Sequence, residues 1–420
     1  MKKTNSNSKC SSSNNFKINE KFKLSNKLEK LGQTIPSIFE YLKDIPDYRN
    51  INNYSNNTTY SIPQLVILCI IGCLQGQPTQ IGFTRSCKSN EAELLKLLKL
   101  NTLPSLSTFN RLSKSVSFEV VNAKLQSWLC NCITSLSLQE TASKVSIDGK
   151  YLKGYHSKDE QGKPNHQTCE QNMLGSISMF CQELKIAINS NTLEGKKESE
   201  TYKFRDLLDH PLAKLITGDS LHCNHQTLEQ IDGLNKEYII GLKGNCSKLK
   251  SSLDLNSTSS KPYSTTTDNT KKVLRNVEVF EVSQIMKNEK LESWSKCNIR
   301  TLIKVTKTRK KTSQTQVNTY ISNIDSKTYT ADEFALSIRK HWSIENNLHW
   351  HKDMIFGEDK HILNTQNPTF FFLVIYSFTI SVINFRNYIH KTKQSVLDTI
   401  KYNANRLDRT LAVLRLEVEV

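Results

Sequence analysis

The spacing of apolar residues changes once along this chain, and that change limits the folds that the chain can adopt. Between about Thr34 and Leu138, apolar side chains recur every three or four residues, as they do along one face of a helix. After Lys144 they gather into short runs separated by turns, which is typical of strands. The sequence therefore predicts an all-α N-terminal domain followed by an α/β domain.

The order of the strand-like runs indicates how the second domain is built. The first three runs follow one another directly, and helical stretches then alternate with the next two, which predicts a sheet with mixed pairing. Residues 251–270 are rich in Ser, Thr and Asn and are predicted to be a loop. Further strands follow, and then a long helix from Asp332 through Met354. The apolar run Phe370–Phe385 is short and contains serine and threonine, so we expect a buried helix and no membrane association.

Positive charge is the strongest compositional signal. The 420 residues carry a formal net charge of +17 and have a sequence pI of about 9.3. Residues 1–31 contribute +6 and residues 243–311 contribute +10, so two separate regions hold almost all of the excess. The first region is of low complexity and is predicted to be a disordered basic tail. Two basic regions on one chain favour a polyanionic partner.

Cysteine usage and short motifs indicate the cellular compartment and bear on whether the chain uses ATP. The chain has 11 cysteines but no C-x-x-C pair, and its first residues lack the apolar segment of a secretory signal. We therefore expect a reduced, cytoplasmic protein with free thiols. No G-x-x-x-x-G-K-[ST] motif occurs, so the sequence does not indicate ATP-driven chemistry.

Three acidic residues stand out by their positions. Asp148 and Asp219 each follow an apolar strand-like run, and Glu345 lies on the predicted long helix. Carboxylates at the ends of adjacent strands, joined by one from a helix that crosses the sheet, can hold two divalent ions about 4 Å apart for in-line phosphoryl transfer. Mg²⁺ prefers oxygen ligands, which explains why such a set needs Asp and Glu. We therefore predict that Asp148, Asp219 and Glu345 are catalytic residues and metal ligands.

Four sequence blocks resemble one family, the DDE transposases of bacterial insertion sequences, in the ISAs-type branch that includes the H-repeat-associated proteins. The blocks are DGKYLKG at 148–154, TGDSLHCN at 217–224, YIIGLKGN at 238–245 and HWSIENNLHWHKDMIFGEDKH at 341–361. The resemblance implies an RNase H-like fold in which Asp148, Asp219 and Glu345 form the DDE triad. It also implies two Mg²⁺ or Mn²⁺ ions, and strand cleavage followed by strand transfer.

The same resemblance implies DNA as the partner, both as terminal inverted repeats and as target DNA. Action on paired ends implies a homodimer, in the bacterial cytoplasm and associated with the nucleoid. On an uninterrupted helix Glu345, His349 and Lys352 share one face, which predicts that the histidine and the lysine reach phosphates beside the metals. The residues predicted to bind DNA are Lys150, Lys243, Lys304, Lys307, Arg309, His341, His349 and Lys352.

These inferences give a domain plan. Residues 1–31 form the tail, 32–138 a helical DNA-binding domain, 139–400 the RNase H-like catalytic domain, and 401–420 a C-terminal helix or tail. An insertion subdomain occupies about 251–325, because the separation between Asp219 and Glu345 leaves room for one.

Several alternatives remain open from the sequence. The chain could be an RNase H-like nuclease without strand transfer, or a degenerate or repurposed DNA-binding protein without catalysis. A zinc site could be assembled from a different set of residues: His222, Cys223, His225, and His349 or His351. For the tryptophans, packing is favoured over DNA stacking at Trp342, Trp350 and Trp294. For three acids near the helix that carries Glu345, a structural role in capping or ion-pair bridging is favoured over catalysis: Asp353, Glu358 and Asp359.

Overall fold

The computed structural model describes residues 37–47, 59–152, 174–195, 197–285, 292–360 and 366–417. Its described residues before 139 form helices and no strand, in agreement with the apolar spacing. The predicted tail, residues 1–31, lies outside the described residues. The helices are α1 Ile38–Leu42, α2 Ile62–Leu74, α3 Gln80–Ser89, α4 Glu91–Leu98, α5 Leu106–Ser115, α6 Phe118–Ser135, α7 Lys197–Leu207, α8 His225–Gly233, α9 Ser247–Thr258, α10 Val282–Ile285, α11 Ala331–His341, α12 Trp350–Met354, α13 Gln366–Ile389, α14 Val396–Asn403 and α15 Leu407–Leu414.

A nine-stranded sheet forms the centre of the molecule, in the order β3-β2-β1-β4-β5-β9-β8-β7-β6. Strands β1, β4 and β5 are parallel to one another, and all other neighbours are antiparallel. The predicted mixed α/β sheet is confirmed. The strands are β1 Lys144–Tyr151, β2 Leu174–Cys181, β3 Ile186–Glu194, β4 Leu215–Gly218, β5 Glu237–Leu242, β6 Ser264–Asn269, β7 Val273–Glu281, β8 Thr301–Arg309 and β9 Thr315–Ser322.

The segment predicted to be a loop, residues 251–270, is structured instead. Helix α9 continues to Thr258, and its buried residues Leu249, Leu253 and Ser257 recur every four residues against the sheet. Residues 264–269 form β6, the edge strand that pairs with β7. The prediction was wrong because composition does not reveal the pairing with β7. Hydrogen bonds to β7 keep β6 extended although all of its residues are polar. Strands β6 to β9 extend the same sheet beyond β5, so the residues of the predicted insertion do not form a sheet of their own.

The N-terminal helices share their core with the rest of the chain. Phe118 of α6 packs against Phe370 of α13 with ring centroids 5.0 Å apart, and Trp128 lies edge-on to Phe378 at 5.9 Å. Their side chains belong to one continuous cluster with those of the sheet. An independent all-α domain therefore stays a prediction.

Helix α13 is the only helix among the described residues that is long and apolar enough to cross a membrane. Of its apolar window, 94% is buried inside the molecule. The prediction of a buried helix at Phe370–Phe385 is thus confirmed. The nine cysteines within the described residues are all free, as expected.

The predicted long helix from Asp332 through Met354 is not uniform. Helix α11 ends at His341, residues 345–349 form a π-helical turn, and α12 follows. The turn widens the helix locally, because the backbone N–H of Trp350 donates to the carbonyl of Glu345, five residues earlier. Side chains beyond the turn are therefore rotated relative to the positions that a regular α-helix would give them.

Candidate metal centre

Asp148, within β1, and Asp219, directly after β4, lie side by side. Strands β1 and β4 are parallel, and their register pairs Ser146 with Thr217. Asp148 lies two residues beyond Ser146, and Asp219 lies two residues beyond Thr217. The structure therefore brings both predicted carboxylates to one edge of the sheet, where the carboxyl ends of parallel strands commonly form binding sites.

The π-helical turn adds two more ligand groups at this edge. Ligand atoms of Asp148, Glu345 and His349 all lie within 4.8 Å of one another. His349 Nε2 is 3.4 Å from Asp148 Oδ2, and the imidazole is buried whereas Glu345 is exposed. Glu345 and His349 are the first and last residues of the π turn, so one local distortion directs both side chains towards Asp148. We call these three residues the ligand cluster.

Asp219 lies beside the ligand cluster but is not part of it. Its Oδ1 accepts a hydrogen bond of 2.8 Å from the backbone N–H of Leu221. The same oxygen lies 3.7 Å from His222 Nε2. Two of the three predicted metal ligands are thus brought together with a histidine, while the third caps the turn that follows its strand.

The electrostatics of the two aspartates differ. Burial would raise the pKa of Asp148, but the contact with His349 holds that pKa below its usual value. Burial and the negative charge of Asp148 raise the pKa of Asp219. Burial lowers the pKa of His222 to about 3 and also lowers that of His341. Both of these imidazoles are therefore neutral at physiological pH.

A buried glutamate that the sequence did not single out lies behind this edge. Glu200 Oε1 on α7 is 3.7 Å from His222 Nε2, and His222 stacks on Phe204 with ring centroids 3.8 Å apart. A Cβ at Gly149 would lie 2.6 Å from the Glu200 carboxyl group, so a larger residue there would have to displace this side chain. The available signal was the spacing of Glu200 four residues before Phe204, on the helix face that covers the sheet.

His341 and Lys243 lie at the same edge of the sheet. His341 Nδ1 is 3.0 Å from the hydroxyl of Thr217, which fixes the ring against β4. Lys243 follows β5 and is exposed, and its charge opposes the rise in the pKa of Asp219. The charge of Lys243 therefore acts on Asp219 and adds positive potential at this edge.

Two other lysines predicted to contact DNA have their ammonium groups engaged by carboxylates of the protein. Lys352 is fully buried, with its Nζ 3.1 Å from Ser176 Oγ and 3.4 Å from Glu358 Oε1. Lys150 Nζ donates to Glu358 Oε2 at 2.7 Å and also contacts Asp353. Neither lysine presents its ammonium group to a phosphate in this structure. The bridging role expected for the acids agrees with these contacts.

The three basic residues predicted on β8 do not form one patch. Lys304 lies on the sheet face that α9 covers, where its Nζ is 3.5 Å from Asp254 Oδ1. Lys307 and Arg309 alternate with it, so they lie on the face that packs against α11. A group of three DNA contacts on a single surface is therefore not supported.

The tryptophans divide into two kinds. Trp342 and Trp350 are 61% and 49% exposed, so the expectation that both pack in the core was wrong. Trp350 directly follows the π turn, whose change in helical twist rotates its side chain away from the core, whereas Trp342 caps α11 before the turn. Trp294 packs over His225 with ring centroids 3.8 Å apart, in agreement with the expected packing role.

The zinc alternative is not supported. His351 Nδ1 contacts the carbonyl of Asn347 at 2.7 Å, and His225 lies under Trp294. Within the described ranges, the ligand cluster is the only group of three or more His, Cys, Asp or Glu side chains in metal-binding reach of one another.

Comparison with known proteins gives the family. The family described as "Transposase DDE domain" matches residues 140–382. The chain is 23% identical over 349 residues to "Putative protein YbfL" of Escherichia coli K12, covering 77% of this chain and 84% of the relative. It is 23% identical over 346 residues to "H repeat-associated putative transposase YhhI" of the same strain, with the same two coverages. It is 24% identical over 346 residues to "Putative transposase YncI" of E. coli O157:H7, covering 78% of this chain and 82% of that relative.

The matched range contains all three predicted triad residues, the nine-stranded sheet and the π turn. A transposase DDE domain implies an RNase H-like fold, and the mixed sheet with flanking helices agrees with it. Since the family match covers more than half of the chain, this protein belongs to the transposase DDE domain family.

Proposed function

We propose that this chain is a DNA transposase that cleaves strands at the ends of an insertion sequence and joins the freed 3′-hydroxyl to target DNA. One observation carries the proposal. The ligand cluster of Asp148, Glu345 and His349 forms at the sheet edge where Asp219 ends the adjacent parallel strand. Carboxylates in this arrangement suit metal-dependent phosphoryl transfer.

The donor set fits a divalent cation. Neither ring nitrogen of the buried His349 has a hydrogen-bond partner among the described residues, so a lone pair is available to a metal. Asp148 stays ionised near neutral pH, because its pKa is held low, and Glu345 is exposed at the open side. Asp148, Glu345 and His349 would hold one Mg²⁺ or Mn²⁺ ion, and Asp148 with Asp219 a second. Bound there, the ions would activate a water or 3′-hydroxyl and stabilise the leaving oxygen.

The chain's own residues would hold the DNA around these ions. Lys243 is exposed beside Asp219 and supplies positive charge for a phosphate. The neutral His341 and His222 pack against the strand ends and limit the access of water to them. The basic regions at 1–31 and 243–311 supply most of the net charge for sequence-independent affinity.

We assign the remaining roles by the same reasoning. The helices between 32 and 138 would bind the terminal inverted repeats, and two copies of the chain would act on paired ends. The protein would work in the bacterial cytoplasm, on the nucleoid.

The test is strand cleavage and joining on DNA that carries the element's own ends, with Mg²⁺ or Mn²⁺. EDTA should abolish the reaction, and Ca²⁺ should support binding with little cleavage, because its loose coordination does not enforce octahedral geometry. Glu345→Gln should lose cleavage by at least about 10³-fold, equivalent to about 4 kcal/mol. Glu237→Gln, an equally conservative change at the exposed first residue of β5, should keep full activity, because it lies at the opposite end of that strand from the site.

The other outcomes discriminate among functions. Cleavage without joining would indicate a nuclease, and specific binding without cleavage by a folded wild-type protein would indicate a repurposed DNA-binding protein. Cleavage that persists in EDTA would refute the metal mechanism.

A further inference from the structure

A chain of buried charges lies directly behind the ligand cluster. Glu358 has a side chain only 2% exposed, and each of its oxygens contacts a different lysine. Oε1 is 3.4 Å from Lys352 Nζ, and Oε2 is 2.7 Å from Lys150 Nζ. Lys352 also donates to Ser176 Oγ at 3.1 Å, and Lys150 contacts Asp353. We call Lys150, Lys352 and Glu358 the buried charge network.

The network connects the two parts of the chain that form the ligand cluster. Lys150 lies two residues after Asp148 on β1, and its side chain points to the same face of that strand. Lys352 lies three residues after His349, in the helix that continues the π turn. Ser176 is the β2 residue directly opposite Lys150, so the network reaches across both strands. Its members therefore hold the π turn against the strand that carries Asp148.

Stability alone does not explain such a network. Removing charges from water is costly, and well-packed apolar residues often replace buried ion pairs without loss of stability. What the ions add is a fixed geometry, because Glu358 satisfies both lysines only when helix α12 lies at one distance from β1. The backbone N–H of Glu358 donates to the carbonyl of Lys352 at 3.0 Å, which fixes the glutamate relative to that helix.

We propose that Lys150, Lys352 and Glu358 are positioning residues, which set the separation between Asp148 and the π turn of Glu345 and His349 and do not contact DNA. The catalytic part of this inference rests on the proposed function, but the positioning part concerns metal affinity and can be measured without DNA. Lys352 is fully buried, and Lys150, whose side chain is 12% exposed, pairs with Glu358 and Asp353. We therefore infer that both act through the metal ligands and not through phosphate.

The test compares Lys352→Met and Glu358→Gln with the wild-type full-length protein. Mn²⁺ affinity is measured by calorimetry in the absence of DNA, and DNA affinity is measured over a salt series. We expect Mn²⁺ binding to weaken by about 10- to 100-fold, as it does when groups that orient metal ligands are removed. We expect the salt dependence of DNA binding to stay unchanged. A lysine that neutralised one phosphate would instead change the logarithmic slope by about 0.9.

Lys214→Met is the matched control, because Lys214 is exposed and pairs with Glu140. It lies before β4, at the opposite end of that strand from Asp219, and its Mn²⁺ affinity should match the wild type.

A second variant covers the loss of folding that an unpaired buried charge can cause. The double variant Lys352→Met/Glu358→Gln removes both charges of one pair, and circular dichroism and urea unfolding establish that it is folded. A folded double variant with weakened Mn²⁺ binding would support positioning. Wild-type Mn²⁺ affinity in the folded variants, or a salt slope lowered by about 0.9 in Lys352→Met, would overturn it.

Failure of the proposed function would look different. In that case the wild-type protein would bind Mn²⁺ at the ligand cluster, and lose it in Glu345→Gln, but would cut no DNA. The effect of Lys352→Met on Mn²⁺ affinity would then still test the positioning role.

Discussion

Replacing Asp148 by Asn removes one negative charge from the ligand cluster and leaves the size of the side chain almost unchanged. In the wild-type protein this carboxylate is ionised near neutral pH, because its contact with His349 holds its pKa below the usual value. If DNA phosphate binds at this edge, Asp148 repels it whenever no metal is present. We therefore expect Asp148→Asn to bind DNA more tightly than the wild type in metal-free buffer, and to lose cleavage when metal is added.

The size of the effect follows from the dimensions of the site. The ligand atoms of the cluster lie within 4.8 Å of one another, so a phosphate at the site would lie about 5 Å from Asp148. Two unit charges about 5 Å apart in water interact by about 0.8 kcal/mol, which corresponds to about fourfold in affinity. The edge is partly buried, and a lower local dielectric strengthens the repulsion. About fourfold is thus the minimum gain at low salt, where screening over this distance is small.

The assay is fluorescence anisotropy with end DNA in EDTA, at low and at physiological salt. Asp206→Asn is the matched control, because it makes the same charge change at an exposed site on α7 that pairs with Lys203. At physiological salt the control should bind like the wild type within about twofold, since the charge of the exposed Asp206 is screened by solvent and salt. Weaker binding by Asp148→Asn, or an equal gain in both variants, would refute the placement of phosphate at the cluster. Retained cleavage would refute its role as a metal ligand.

Two further predictions concern acid stability and the basic strand. Burial, with the charge of Lys236, lowers the pKa of His210 to about 4. Since the unfolded chain protonates near about pH 6.5, His210 alone should lower the free energy of unfolding by about 2 kcal/mol between about pH 6.5 and pH 5. Urea unfolding should show a smaller fall for His210→Asn, and an equal fall would contradict this origin. On β8, Lys307→Met should change the logarithmic salt slope of DNA binding by about 0.9, whereas Lys304→Met should leave it unchanged because Lys304 pairs with Asp254. Equal salt slopes for the two variants would contradict the idea that only the β8 face carrying Lys307 contacts DNA.

The positions of Asp148 and Asp219 could be predicted because they depend on local patterns. Each residue ends an apolar strand-like run, and parallel pairing of β1 with β4 then aligns the two ends without further information. The mixed sheet could also be predicted, since the order of runs along the chain restricts how strands pair. These features need only the period of the apolar residues and the chain order.

The loop predicted at 251–270 failed because its structure depends on distant partners. In β6 exposed and half-buried residues alternate, and none of them is apolar, so composition favours a loop. The strand exists because β7 pairs with it along its whole length, from Ser264 opposite Val279 to Asn269 opposite Leu274. An edge strand of this kind can be predicted only once the strand that pairs with it is known.

The predicted helix that carries Glu345 shows most clearly that residue spacing alone does not determine where a side chain lies. An uninterrupted α-helix would place Glu345, His349 and Lys352 on one face, and that spacing predicts a lysine beside the phosphates. The π turn rotates the residues that follow it, so Lys352 enters the interior, while Trp350 is exposed. Glu358, six residues after Lys352, supplies the charge that makes this burial tolerable, and Lys150 on β1 shares that charge. A basic residue in a DNA-acting motif can thus serve the metal ligands instead of the DNA, and only the contacts of its ammonium group distinguish the two roles.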